Sequence, residues 1–301
     1  VASSVRRVEL TTEDGLWIGR FRAMACPCEV LVDTLDAIEA RTVAERVAEC
    51  AWRIEDKYSR YQAGNVVDTI NSANGRAVPV DEETANLLDF AAKLHDLSDG
   101  LFDITSGVLR RAWTFDGSAR IPSQAQVDAL LPLVGWEKVQ WRRPELKLLP
   151  GMQIDFGGFG KEYAVDQAVQ IVRNIGSHAA LVNLGGDLAI SRPRSDGRPW
   201  RVGIEDSGSP RQAASHLLEL RRGALATSGD TYRYVLADGT RYSHILDPRS
   251  GWPVRDAPRS VTVAAGTCTQ AGLLTTLAVL EGTNAEQFLA AEHVPHWIRR
   301  H

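Results

Sequence analysis

Between residues 200 and 265 the chain carries four strand-like segments, at 202–205, 217–220, 232–236 and 260–264, with no helical pattern between them. Strands that follow one another without intervening helices weigh against a regular doubly wound sheet and favour an α+β fold. Helical periodicity is found elsewhere. Over 36–58, Val43, Val47, Cys50 and Ile54 share one face at spacings of four, three and four. Over 81–98, Asp81 stands as an N-cap, Leu87, Leu88, Ala91 and Leu94 face inward, and Asp99-Gly100 ends the helix in a turn. Further helices are expected at 123–131, 162–174 and 269–280. Strands are expected at 16–33, bent at Cys26-Pro27-Cys28, at 179–183, and as a hairpin at 139–141 and 146–148.

A length of 301 residues suits one large domain or two closely packed lobes. With 44% hydrophobic and 24% charged residues the composition is that of a folded protein. A net charge of -4 gives no ground for nucleic acid or an anionic membrane surface as partner. No apolar run reaches the roughly 18 residues needed to span a bilayer. The sequence starts at Val1, which leaves open whether a signal or lipid-anchor segment precedes it. Cys26 and Cys28 are separated by one residue, which is not the spacing of a redox or zinc pair. Together with Cys50 and Cys268 they are expected to be ordinary buried or half-buried thiols.

Chemistry-bearing residues gather in five clusters. Asp99-Gly100-Leu101-Phe102-Asp103-Ile104-Thr105 is the first, and Asp155-Phe156-Gly157-Gly158-Phe159-Gly160-Lys161 the second. Consecutive glycines let backbone amides approach a ligand, the helix start behind them favours an anion, and Lys161 adds a point charge suited to phosphate. The alternative is a tight strand-to-helix connection without a ligand. Asn183-Leu184-Gly185-Gly186-Asp187 and Thr227-Ser228-Gly229-Asp230 follow. The last, His244-Ile245-Leu246-Asp247-Pro248-Arg249-Ser250-Gly251, makes His244 and Asp247 candidates for proton transfer.

These clusters, in this order, resemble the ApbE family of FAD:protein FMN transferases. The resemblance runs from about Phe21 to Gly282. Besides the clusters it includes Phe21-Arg22-Ala23-Met24, Tyr58-Ser59-Arg60-Tyr61, Trp113, the 200–206 segment and Ser260-Val261-Thr262-Val263. It implies an α+β single domain of two lobes with mixed or antiparallel sheets and packed helices, a flavin cleft between the lobes, and residues 1–20 as an N-terminal extension before a 21–301 domain. It also implies transfer of FMN from FAD to a Ser or Thr hydroxyl of an acceptor flavoprotein, with Mg2+ and release of AMP. Some family members instead hydrolyse FAD to FMN and AMP. A periplasmic or membrane-tethered location is implied, without membrane insertion by the domain itself; a cytoplasmic one stays open.

Carried over by position, Met24, Tyr61, Leu101, Phe102, Asp103, Asp155, Lys161 and Ile245 are expected at FAD. His244 is expected beside the pyrophosphate, and Gly158 (through its carbonyl) and Thr276 at the metal. The chain departs from the family pattern at Gly272, where an aspartate one helical turn before Thr276 is usual. Two consequences are open: a carboxylate from elsewhere, such as Asp187 or Asp230, serves the metal, or the protein binds or delivers flavin without catalysis. Gly272→Asp is expected to separate them by a gain of magnesium-dependent activity. Glu162 stands where the family usually has glycine; it is expected to alter helix-start electrostatics and not to be a ligand.

Overall fold

The computed structural model describes residues 6–116, 118–176, 178–204, 216–230 and 233–300. Glu205, Asp206 and Tyr232, which belong to strand segments or motifs expected from sequence, lie outside them. The chain opens with β1 (Glu9–Glu13), β2 (Leu16–Ala23) and β3 (Cys26–Asp33), then α1 (Ala37–Tyr58) and α2 (Val66–Asn71). Next come β4 (Val78–Pro79), α3 (Glu82–Leu97), α4 (Gln124–Asp128), β5 (Gln140–Arg142), β6 (Glu145–Lys147) and α5 (Gly160–Ile175). Strands β7 (Ala179–Leu184), β8 (Asp187–Ile190), β9 (Trp200–Ile204), β10 (His216–Leu220), β11 (Ala224–Gly229), β12 (Tyr234–Ala237), β13 (Thr240–Ser243) and β14 (Ser260–Ala265) then follow, with no α-helix between them among the described residues. The chain closes with α6 (Cys268–Leu280), α7 (Ala285–Ala291) and β15 (His296–Arg299).

Eight strands form the main sheet in the order β1-β2-β3-β7-β8-β11-β14-β15, each neighbouring pair antiparallel. The fold is therefore α+β, as the strand run from β7 to β14 requires. Residues 9–20, set apart in sequence as an extension, hydrogen-bond into this sheet, and a boundary at Phe21 falls inside β2. Helices α1, α5 and α6 pack side by side on one face. Val43, Val47, Cys50 and Ile54 of α1 are all buried in the core that also holds Val30 and Val32 of β3. Burying one such aliphatic side chain is worth about 1.5–3 kcal/mol, so this seam anchors the layer. The β9–β10 ribbon is part of the second face, where Trp200 and Leu220 pack with Leu181, Ile190 and Leu225. A smaller sheet, β4-β6-β5, contributes Val78 and Leu146 to the same core as α1 and α3. Among the described residues, no helix is long and apolar enough to cross a membrane.

Asp81 caps α3 through its side chain, as the sequence pattern requires, and Asp36 caps α1 in the same way. The four cysteines are free, and Cys28, Cys50 and Cys268 are buried. At the β2–β3 hairpin Met24 and Ala25 have φ of 50° and 59°. A two-residue turn with both φ positive suits the twist of the strands but ordinarily takes Asn or Gly. Here Met24 N–H donates to Glu55 Oε1 of α1 at 2.8 Å, fixing the turn.

Candidate functional site

Asp155 Oδ1 accepts the Gly157 N–H at 2.8 Å and so caps a 3-10 turn at Phe156–Gly158; α5 then starts at Gly160. This places Lys161 and Glu162 in the first turn of α5, facing the β7–β8 hairpin. That hairpin turns at Gly185 and Gly186, with φ of 64° and 98°. A Cβ on Gly185 would also lie 2.8 Å from Cys26 Sγ, so glycine is required there twice over. Asp187, 1% exposed, leaves the turn with Oδ1 accepting the Thr227 N–H at 3.1 Å, and its Oδ2 forms an ion pair with the Lys161 ammonium. Burial works against the charged Lys161, but Asp187 outweighs it and holds the ammonium above its ordinary pKa.

Glu162 is buried at 7% exposure, and its Oε2 has no hydrogen-bond partner. Burial first, and the like charge of Asp187 second, push its carboxyl up to about 8. Its side chain lies on Gly272 of α6: a Cβ there would meet Glu162 Cγ at 2.5 Å and Oε1 at 2.7 Å. The view of Glu162 as a helix-start charge alone is thereby corrected. The space where a side chain on residue 272 would begin is filled by the Glu162 carboxylate. Beside this contact, Thr275 Oγ1 donates to Ser228 Oγ at 2.9 Å, and Ser228 Oγ pairs with Thr276 Oγ1 at 3.3 Å. Gly158 is exposed at the turn preceding α5. Asp230, the other carboxylate considered from sequence, pairs through Oδ2 with Arg241, whose Nε lies 2.8 Å away, while its buried Oδ1 has no hydrogen-bond partner.

A second group of residues gathers around the segment after β13. Arg110 Nη2 donates to the His244 carbonyl at 3.4 Å. Its guanidinium lies 5.0 Å over the Phe115 ring, which meets the His244 ring edge-on. His244 Nδ1 is 3.0 Å from the Arg233 carbonyl, which makes Nδ1 the donor and leaves Nε2 as acceptor. Burial, reinforced by Arg110 and Arg233, pushes His244 down to about 3, so the ring is neutral. Asp247 does not orient it. Both Asp247 oxygens are taken by Arg249, and its carbonyl accepts the Gly251 N–H at 2.8 Å, so Asp247 builds the turn.

The remaining positions expected at FAD divide into surface and scaffold. Tyr61 is 76% exposed, while Met24, Leu101 and Ile245 are half-buried. Phe102 is a core residue against Phe159. Asp103 is consumed by the Thr105 N–H and hydroxyl, both at 2.7 Å, and by the Trp136 N–H at 3.0 Å. Asp155 also pairs through Oδ2 with Arg60 at 3.2 Å. Sequence reasoning did not single out Arg60, Arg110 or Ser228, which contact Asp155, the His244 carbonyl and Thr276, and it noted Glu162 without seeing its contact. Elsewhere His95, Asp103 and Glu137 bring one ligand atom each within 4.8 Å, but Glu137 is exposed and Asp103 is already engaged.

The model of the ApbE family matches residues 24–297, and the chain belongs to that family. Its curated relatives include FAD:protein FMN transferases. That of Salmonella typhimurium is 30% identical, covering 83% of this chain and 76% of its own. That of Escherichia coli K12 is 28% identical, covering 94% and 82%. Among solved structures, the ApbE protein of Thermotoga maritima superposes with a TM-score of 0.86 at 33% identity, covering 94% of each chain. The apo form of the Pseudomonas stutzeri flavinyl transferase ApbE gives 0.81 at 26%, covering 99% of this chain and 92% of that one.

Proposed function

We propose that this protein transfers FMN from FAD to a Ser or Thr hydroxyl of an acceptor protein and releases AMP, with a divalent cation such as Mg2+. Membership of the ApbE family and the names of the relatives support this reading. The observation that carries it is the cluster formed by Lys161, Asp187, Ser228 and Thr276 beside two glycine turns. It combines a cation for a phosphate with hydroxyls and backbone groups that a hard dication accepts.

The donor set fits Mg2+, being all oxygen and including the unpartnered Glu162 Oε2. Gly158 (by its carbonyl) and Thr276 would hold the ion, which when bound neutralises charge on the pyrophosphate oxygens. Lys161, fixed by Asp187, sets a positive charge at the pyrophosphate in the ground state. Met24, Tyr61, Leu101 and Ile245 offer apolar surface to the flavin and adenine rings. The acceptor oxygen attacks the phosphorus on the FMN side, a phosphoester bond forms, and the P–O bond to AMP breaks. His244, with Nε2 free to accept, takes the hydroxyl proton. Burial and its cationic neighbours make it a weak base in the free protein, and the negative charge of bound pyrophosphate would offset the neighbours.

The test is incubation of metal-free protein with FAD, Mg2+ and a Ser/Thr acceptor domain. The expected result is flavin fluorescence retained on the acceptor after denaturation, with AMP released in equal amount. FMN and AMP formed without acceptor would reassign the enzyme as an FAD pyrophosphatase. FAD binding with no AMP released would leave a flavin carrier.

A further inference from the structure

We infer that Glu162 is the carboxylate with which this chain holds its divalent cation, and that Glu162 and Gly272 are a matched pair in which the carboxylate is borne on α5 instead of α6. This rests on the proposed transferase function, because that reaction is what calls for the ion.

Geometry supplies the first reason. A Cβ on Gly272 would be 2.5 Å from Glu162 Cγ, 2.7 Å from Oε1 and 2.9 Å from Cδ. All three distances are shorter than nonbonded atoms tolerate, so a side chain at 272 and the Glu162 carboxylate compete for one volume. The two departures from the family pattern are therefore a single exchange. The carboxylate reaches the Gly272 position from the neighbouring helix, one helical turn from Thr276.

Satisfaction of polar atoms supplies the second. Glu162 is more than nine-tenths buried, yet its Oε2 meets no donor. Native interiors seldom leave a carboxylate oxygen so, because its lost hydration is not replaced. The Lys161 ammonium is committed to Asp187, which is itself a second negative charge acting on Glu162. A buried carboxyl with a structural role alone would have a hydrogen-bond partner at both oxygens, whether neutral or charged. One oxygen left over within reach of the Asp187 charge, on a side chain that lies against Gly272 one helical turn from Thr276, suits a hard cation.

Gly272→Asp alone is therefore not the restoration that the sequence suggested, since the added carboxylate collides with Glu162. The informative variants are Glu162→Gln, which keeps the shape, and the double exchange Glu162→Gly/Gly272→Asp. The measurement is free Mn2+ by electron paramagnetic resonance in titrations of metal-free protein, with and without FAD. FAD affinity is read separately from flavin fluorescence. Glu162→Gln is expected to weaken Mn2+ binding by at least about tenfold, the loss that even an outer partner of a metal ligand produces. FAD affinity measured without metal should hold, and the double exchange should regain most of the Mn2+ affinity. Mn2+ binding by Glu162→Gln as tight as wild type overturns the inference and leaves the transferase reading standing. A folded double variant no tighter than Glu162→Gln overturns the matched pair. Failure of the wild type to bind FAD would count against the transferase reading, while the Mn2+ titration without FAD still decides the role of Glu162.

Discussion

The Trp113 indole N–H donates to the Gly251 carbonyl at 2.8 Å, joining the end of the 3-10 segment that carries Arg110 to the turn that follows His244. Trp113 is 1% exposed, and Trp252 and Tyr242 pack around it. Trp113→Phe keeps an aromatic ring but strands the carbonyl. Leaving a buried acceptor unsatisfied costs about 1–3 kcal/mol, and urea denaturation should show a loss in that range. Because the same bond holds the His244 segment against Arg110, turnover should fall with it. A variant as stable as wild type would show that the bond is dispensable.

The contact between α5 and α6 has a thermodynamic signature independent of any ion. Gly272→Ala in the wild type drives a methyl into Glu162, and overpacking of this kind costs about 1–3 kcal/mol. In a Glu162→Gly background the same change should be stabilising, because alanine exceeds glycine in helix propensity by about 1 kcal/mol. A double-mutant cycle by denaturant melts should give a coupling of about 0.5–3 kcal/mol between the two sites. Additivity would mean that the Glu162 side chain moves aside at no cost.

If Lys161 meets the pyrophosphate, as proposed, it acts on a charge present before and during the reaction, so its loss should appear mainly in binding. Lys161→Met is expected to weaken FAD binding about tenfold, or about 1.4 kcal/mol, with a smaller fall in kcat. Fluorescence titration and initial rates check it. Unchanged FAD affinity with a large fall in kcat would instead place the lysine at the transition state.

The helices were legible because α1, α3, α5 and α6 have clear boundaries in sequence and the first three keep an apolar stripe; Asp81 even marks the α3 cap. Strand β8 was not, because Asp187–Ile190 is buried throughout and shows no alternation. Likewise Lys161 stands out in its local motif and Thr276 only through the family resemblance, whereas Glu162 meets Gly272 through packing of two helices distant in sequence. Nearness in sequence also misled. Asp247 lies close to His244 along the chain, but a short acidic side chain before a turn bonds its own backbone two residues on, here the Arg249 N–H at 2.9 Å.

His244 gives the pH dependence. Its folded-state pKa, pushed down to about 3, lies below the ordinary value of 6.5. The unfolded chain therefore takes up a proton below pH 6.5 that the folded chain refuses. This contribution to stability is present in full above pH 6.5 and is lost as the pH falls from there toward 3. One proton sets an upper limit of about 1.4 kcal/mol per pH unit on the slope, and the half-buried ring should give less. His244→Gln removes the titration, so its melting temperature should fall less than that of the wild type between pH 7 and pH 4.5. The imidazole resonances should also remain those of the neutral ring at pH 5 in the free protein. Added FAD brings negative charge beside Arg110 and His244 and should move that titration upward. A ring that protonates near pH 6.5 in the free protein would show that Arg110 and burial do not govern it.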